Sequence, residues 1–232
     1  DPATVKTFSG ASTGVGLSIL SPGGEKSILV YRGANSSLDS SDVQEQAIRN
    51  SRHIFIASLV SARNYKLFEK VLALAKKHRK PVVFAPSITM LHAWMPELRK
   101  LKPRFDVVIM NYEEGSYYGG KGDVKGILDA LPGRVAVVTK DVEGAYVREG
   151  RNFFHVAAVP VKIADTTGAG DAFGGAFVQA YYSTKSVARA LKTAAAAAAL
   201  KLTHKGSHFG RTKSELAAFM RKNASKLVVR KL

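Results

Sequence analysis

Short apolar runs alternate with longer segments of helical period over most of the 232 residues, and that alternation narrows the fold more than any other feature of the chain. Strands are expected at His53–Ala57, Pro81–Phe84, Asp106–Met110 and Arg134–Thr139, each rich in Val, Ile or Phe. Strands separated by a helix-length crossover pair in parallel, so the chain reads as an α/β protein with a mostly parallel central sheet flanked by helices. The intervening helix is clearest in Tyr65–His78. There Leu67, Phe68, Val71, Leu72 and Leu74 recur on one face, and Lys66, Glu69, Lys70, Lys76 and Lys77 fill the other.

Around this frame two antiparallel pairs are expected. Residues 15–20 and 27–31 flank the turn sequence Ser21-Pro22-Gly23-Gly24, which predicts a small β hairpin, a lid-like segment over 13–35. The second pair, Gly144–Val147 with Asn152–Val156, turns around Arg148–Arg151. Ser40 or Ser41 is expected to cap a helix toward Asn50, and three more helices are expected over about 170–183, 186–202 and 212–224. Trp94, spaced with Leu91 and Leu98, reads as core. With no repeat or low-complexity linker, residues 1–232 are expected to form one domain.

Composition excludes several classes. No apolar run approaches the roughly 20 residues of a membrane span, and the opening DPATVKTFSG has neither the basic nor the apolar region of a secretory signal. The absence of cysteine rules out disulfides and thiolate-bound metals and fits a cytoplasmic enzyme. The six histidines lack paired metal-ligand spacing, so no histidine metal site is expected. A formal charge of +17 makes a polyanion a candidate partner. From Arg211 onward, Lys213, Arg221, Lys222, Lys226, Arg230 and Lys231 join Arg211 against Glu215 alone. No series of aromatics is interleaved with these bases as a stacking platform would require, which favours a solvated basic surface over a nucleic-acid site.

The chemistry concentrates in residues 165–178, Asp-Thr-Thr-Gly-Ala-Gly-Asp-Ala-Phe-Gly-Gly-Ala-Phe-Val, a small-residue loop running into an apolar helix. Gly168, Ala169 and Gly170 leave the backbone open at a helix N-terminus, where free N–H groups and the helix dipole attract phosphate. A carboxylate in the first turn, Asp171, is placed to accept a proton from a substrate hydroxyl. Gly174, Gly175 and Ala176 would let the helix approach the sheet closely. The plain alternative is a loop with an Asp helix cap.

The whole stretch resembles the C-terminal signature of the ribokinase-like (PfkB) family of carbohydrate and nucleoside kinases. That resemblance implies a three-layer ribokinase-like fold and an ATP-dependent kinase with an alcohol acceptor, a sugar or sugar acid, or else a nucleoside of the adenosine type. It implies Asp171 as general base, Gly168, Ala169 and Gly170 as anion hole, and Asp165 with Thr167 at a monovalent-cation (K+) site. Asn111-Tyr112-Glu113-Glu114 resembles the family's Asn-x-x-Glu motif, whose Glu organises water around Mg2+ beside the ATP phosphates; the alternative is an Asn cap with acidic first-turn residues. Thr139 with Gly144 resembles the nucleotide loop, although Lys140 and Asp141 replace an apolar residue and a Gly of the pattern. Ala194–Leu200 followed by Lys205, Gly206 and Ser207 resembles the helix and turn that cover the adenine, with Ala195 where an Asn is common. Arg32 and Asn35, after the first hairpin, are candidate substrate contacts, and the lid implies a possible homodimer surface. The family's usual N-terminal portion, with much of its substrate lid, is not among these residues, and Pro86-Ser87 stand where many sugar kinases have Asp-Pro-Asn. A non-catalytic, kinase-derived nucleic-acid-binding protein is the reading from another class.

Overall fold

The computed structural model describes residues 4–20, 26–101 and 105–232. A two-stranded antiparallel sheet, β1 (Val15–Leu20) and β2 (Lys26–Tyr31), stands apart from a seven-stranded sheet. The turn expected at Ser21–Gly24 lies outside the described residues. In the large sheet β3 (Ile54–Ile56), β4 (Val82–Phe84), β5 (Phe105–Asn111) and β6 (Gly133–Lys140) run parallel in chain order. Three antiparallel strands follow: β7 (Gly144–Glu149), β8 (Asn152–Val156) and β9 (Val229–Lys231).

Side-chain alternation along these strands builds two cores, one on each face of the sheet. Val82, Phe84, Val108, Met110, Ala136 and Val138 face a layer that includes α2 (Ala62–Lys77), α3 (Ile88–Leu101) and α5 (Val124–Ala130). Val83, Val107, Ile109, Val135 and Val137 face α6 (Ala169–Thr184), α7 (Val187–Leu202) and α8 (Lys213–Lys222). Because both faces are covered, the parallel strands read as unbroken apolar runs rather than alternating ones. Trp94 is buried with the Phe68 and Tyr65 rings against it, as expected of a core residue. Pro96 sits inside α3 and removes one helical hydrogen bond; the burial of Met90, Leu91, Trp94, Met95 and Leu98 on one face holds the helix through it.

Ser40 and Ser41 do not cap the helix that ends at Asn50. They lie in a 3-10 turn, Ser40–Asp42, capped by Asp39 through a reciprocal pair with Asp42. The helix itself, α1 (Glu45–Asn50), starts after Gln44 with no side-chain cap. Short polar side chains compete for any free N–H nearby, and here Asp39 takes it one residue earlier. A further helix, α4 (Tyr112–Gly119), fills the space between β5 and α5.

Candidate active site

The direction of α6 decides where its N-terminus lies. Near its C-terminal end, the Tyr181 hydroxyl donates to Glu149 Oε1 at 2.8 Å and accepts from Arg134 Nη2 at 3.4 Å, and Tyr182 stacks on His53 with ring centroids 4.8 Å apart. His53 precedes β3 and Arg134 opens β6, so this end of α6 lies at the N-terminal ends of the parallel strands. A helix rises about 1.5 Å per residue, and the ten residues back from Tyr181 carry Asp171 to the opposite edge. There the strands end at Ile56, Phe84, Asn111 and Lys140, where ligands of open α/β sheets bind. Burial drives this packing, with Phe173 and Phe177 sunk into the core beneath the helix and Gly174 against the sheet near Ile109 and Phe55. A methyl at Gly174 would meet those atoms at ordinary contact distance and Gly175 faces open space, so neither glycine is forced by close approach.

The first turn of α6 is shaped by Gly168 at φ 80°, a left-handed conformation that L residues rarely adopt. A Cβ there would also collide with the Ser207 carbonyl, so the 165–168 loop and the 205–207 turn are in contact through this glycine. The Ala169 amide donates to the Thr166 carbonyl at 3.3 Å, whereas the amides of Gly170 and Asp171 find no acceptor among the described residues. Gly170 has no atom within 4 Å of where a Cβ would stand. Of the expected hole of Gly168, Ala169 and Gly170, the Ala169 amide is engaged within the chain, while the Gly168 amide, like that of Gly170, has no acceptor among the described residues. Asp171 is exposed and makes no cap to the helix it begins.

The two loops are pinned by Asp165. Its Oδ1 accepts from the Thr167 amide and its Oδ2 from the Gly206 amide, both at 2.9 Å. These bonds, the Thr167 hydroxyl and the nearby Lys201 charge hold its carboxyl down at about 2. Asp165, Thr167, Gly206 and Ser207 are thus brought together, with the Lys205 side chain exposed at their edge.

Asn111 and Glu114 meet as a capping box on α4, Asn111 Oδ1 accepting from the Glu114 amide at 2.8 Å and Glu114 Oε2 from the Asn111 amide at 2.9 Å. The Ile88 amide also bonds the Glu114 carboxylate, whose pKa is nonetheless raised by burial. With its oxygens held by amides, Glu114 suits ordering water around a hard cation better than touching one. At the end of β6, Thr139 pairs with Ala145 and a 3-10 turn, Asp141–Glu143, leads to Gly144 at φ 97°. Lys140 Nζ is 2.8 Å from Glu143 Oε1 and 4.7 Å above the Tyr112 ring, so the departure from the family pattern makes a tight, ion-paired turn. Ala195 is buried.

Arg32 and Asn35 line a cleft of about 370 Å³ between the β1–β2 hairpin and the end of β3, with Ser58, Leu59 and Asn64 on its other side. Asn64 is buried and ties the hairpin base to α2, its Nδ2 donating to the carbonyls of Asn35 at 3.1 Å and Leu38 at 2.8 Å. Ser58 shares a hydrogen bond of 2.6 Å with Ser87. Neither Asn64 nor Ser58 stands out in the sequence; the one available signal is the Ser61-x-x-Asn64 capping box that opens α2.

A family model described as pfkB family carbohydrate kinase matches residues 1–213. Over 234 residues the chain is 27% identical to a 5-dehydro-2-deoxygluconokinase of Listeria monocytogenes, covering 93% of this chain and 71% of that protein. It is also 27% identical to a ribokinase of Schizosaccharomyces pombe, covering 88% of this chain and 66% of the relative. Among solved structures, a ribokinase II of E. coli in complex with ATP and Mg2+ matches with a TM-score of 0.76 at 25% identity, over 89% of this chain and 71% of that one. An adenosine kinase of Sinorhizobium meliloti matches in fold, with a TM-score of 0.79 at 24% identity, over 92% of this chain and 67% of that one.

Proposed function

The chain belongs to the pfkB family of carbohydrate kinases, and on that footing we propose that it transfers the γ-phosphate of ATP to a hydroxyl of a sugar or sugar acid, with Asp171 as general base. The observation that carries this reading is the N-terminus of α6, where two unpartnered amides, an open Gly170 and a carboxylate that caps nothing meet at the C-terminal edge of the parallel strands. A plain helix start would draw only dipole stabilisation from such a carboxylate.

In the proposed step Asp171 takes the proton as the substrate oxygen attacks phosphorus, and the ADP oxygen leaves in line. The amides of Gly170 and Asp171, with the dipole of a 16-residue helix, take up charge on the transferring group. Thr139, Lys140, Gly144, Lys205, Gly206 and Ser207 would border the nucleotide, and Asn111 and Glu114 would hold the water of an accompanying Mg2+, which would neutralise the phosphates. Arg32 and Asn35, in the cleft at the end of β3, are the acceptor contacts. The strands β1 and β2 act as the lid. Sugar-dependent release of ADP across a panel of pentoses, hexoses, sugar acids and nucleosides tests this. The expected winner is a sugar or sugar acid; a nucleoside as the only acceptor would move the assignment to a nucleoside kinase, and no acceptor at all would remove it.

A further inference from the structure

The end of α7 carries a charge that the proposed transfer does not use. Lys201 is fully buried, and the other buried polar residues among the described ones are the neutral Asn64 and Asn223. Its Nζ donates to the His204 carbonyl at 3.2 Å, and no ion pair with a carboxylate accompanies it among the described residues. A buried ammonium is costly unless oxygens accompany it; the His204 carbonyl bonds it and the Asp165 carboxylate lies within its electrostatic reach. The last carbonyls of a helix lack helical partners and carry the negative end of its dipole. Here the Leu202 carbonyl accepts from the amides of Ala164 and Asp165 at 2.8 and 3.3 Å, which draws the Asp165 loop onto the end of α7. Asp165 in turn holds Gly206, two residues beyond His204. Carbonyl oxygens and one carboxylate thus converge where the 163–168 and 203–207 segments join, and that is the donor set of a hard monovalent cation. The residues present do not fit such an ion well, because both Asp165 oxygens are engaged by amides and the junction already holds a positive charge.

We propose that Lys201 is a built-in cation: its ammonium takes, from within the chain, the place at this junction that a bound potassium ion would fill, and it fixes the 205–207 turn against Gly168 without one. The inference rests on reading the start of α6 as the phosphate site, since the two loops shape that site. Lys201 is a positioning residue and touches neither substrate nor phosphate.

The test compares thermal unfolding of the ligand-free protein and calorimetric ATP affinity in KCl and in tetramethylammonium chloride at equal ionic strength, for the wild type and Lys201→Ala. The wild type should show the same Tm and the same affinity in both salts. Lys201→Ala, which leaves room for an ion, should be less stable in tetramethylammonium. In KCl it should regain Tm and bind ATP at least about threefold more tightly, as expected when an ion binds only the folded state. A wild type stabilised by KCl over tetramethylammonium overturns the proposal, and so does a Lys201→Ala variant indifferent to the salt. Should that variant fail to fold, the wild-type comparison decides alone. Absence of ATP binding in either salt would count against the kinase reading, while the ligand-free Tm comparison would still judge Lys201.

Discussion

Two neighbouring glycines of the same loop are predicted to fail in different ways. Gly168 combines φ 80° with a Cβ position that collides with the Ser207 carbonyl, so Gly168→Ala should destabilise the fold by about 1–3 kcal/mol and displace the 205–207 turn. Gly170 has open space where its Cβ would stand, so Gly170→Val should leave Tm nearly unchanged while obstructing the phosphate and weakening ATP at least about tenfold. Denaturant unfolding and calorimetric titration separate the two. Equal loss of stability in both variants would mean that the loop is only structural. The sequence shows both as members of one Gly-Ala-Gly motif. That one is strained and the other open depends on Ser207, some forty residues away in the chain, which local pattern cannot reveal.

At the scale of elements, the acid sensitivity of the fold should centre on two carboxylates that tie ends together. Asp165 is held at about 2 from an ordinary 3.8. Glu215, which closes the cap of α8 with Thr212 and pairs with Arg211 at 2.9 Å, is held at about 2 from 4.5. A carboxylate whose pKa is depressed by folding stabilises the protein above its unfolded pKa and loses that contribution as pH falls through the folded one. The contributions should therefore be full above about pH 5 and lost toward pH 2. Glu215→Gln and Asp165→Asn should each flatten the fall of Tm across that window; variants as acid-sensitive as the wild type would contradict this. The strands of the parallel sheet and the long helices were readable because each combines a continuous apolar run or a helical period with enough length to be unambiguous. The helices α4 and α5, at eight and seven residues, span about two turns and have too little period to register. The three-residue β9 exists only because β8 offers it an edge. The Asn111–Glu114 pair was visible as a motif, and both of its readings survive, since the capping box is formed and its Glu still lies at the edge of the sheet where phosphate would bind.

For the whole molecule, the charge is unevenly spread along the chain. After Asp171 the sequence contains Glu215 as its single acid, against twelve lysines and arginines, so the chain beyond Asp171, loops included, carries +11 of the +17. No helix among the described residues is long and apolar enough to cross a membrane. Arg189, Lys192, Lys213, Arg221, Lys222 and Lys226 are exposed on this stretch, and Phe219, the aromatic of α8, packs against the core instead of standing among them. Weak RNA binding is expected, falling steeply as salt rises because counterion release scales with the phosphates neutralised. Submicromolar binding that persists at physiological salt would favour a nucleic-acid-binding protein over an enzyme. The kinase reading meets its most direct test in Asp171→Asn, assayed in the full-length protein with its best acceptor. Asn keeps the size of Asp but cannot accept the proton. The expected result is a fall in kcat of roughly 10²–10⁴, with ATP affinity and Tm little changed; a variant that keeps at least half of the wild-type kcat would show that the start of α6 binds phosphate without supplying the base.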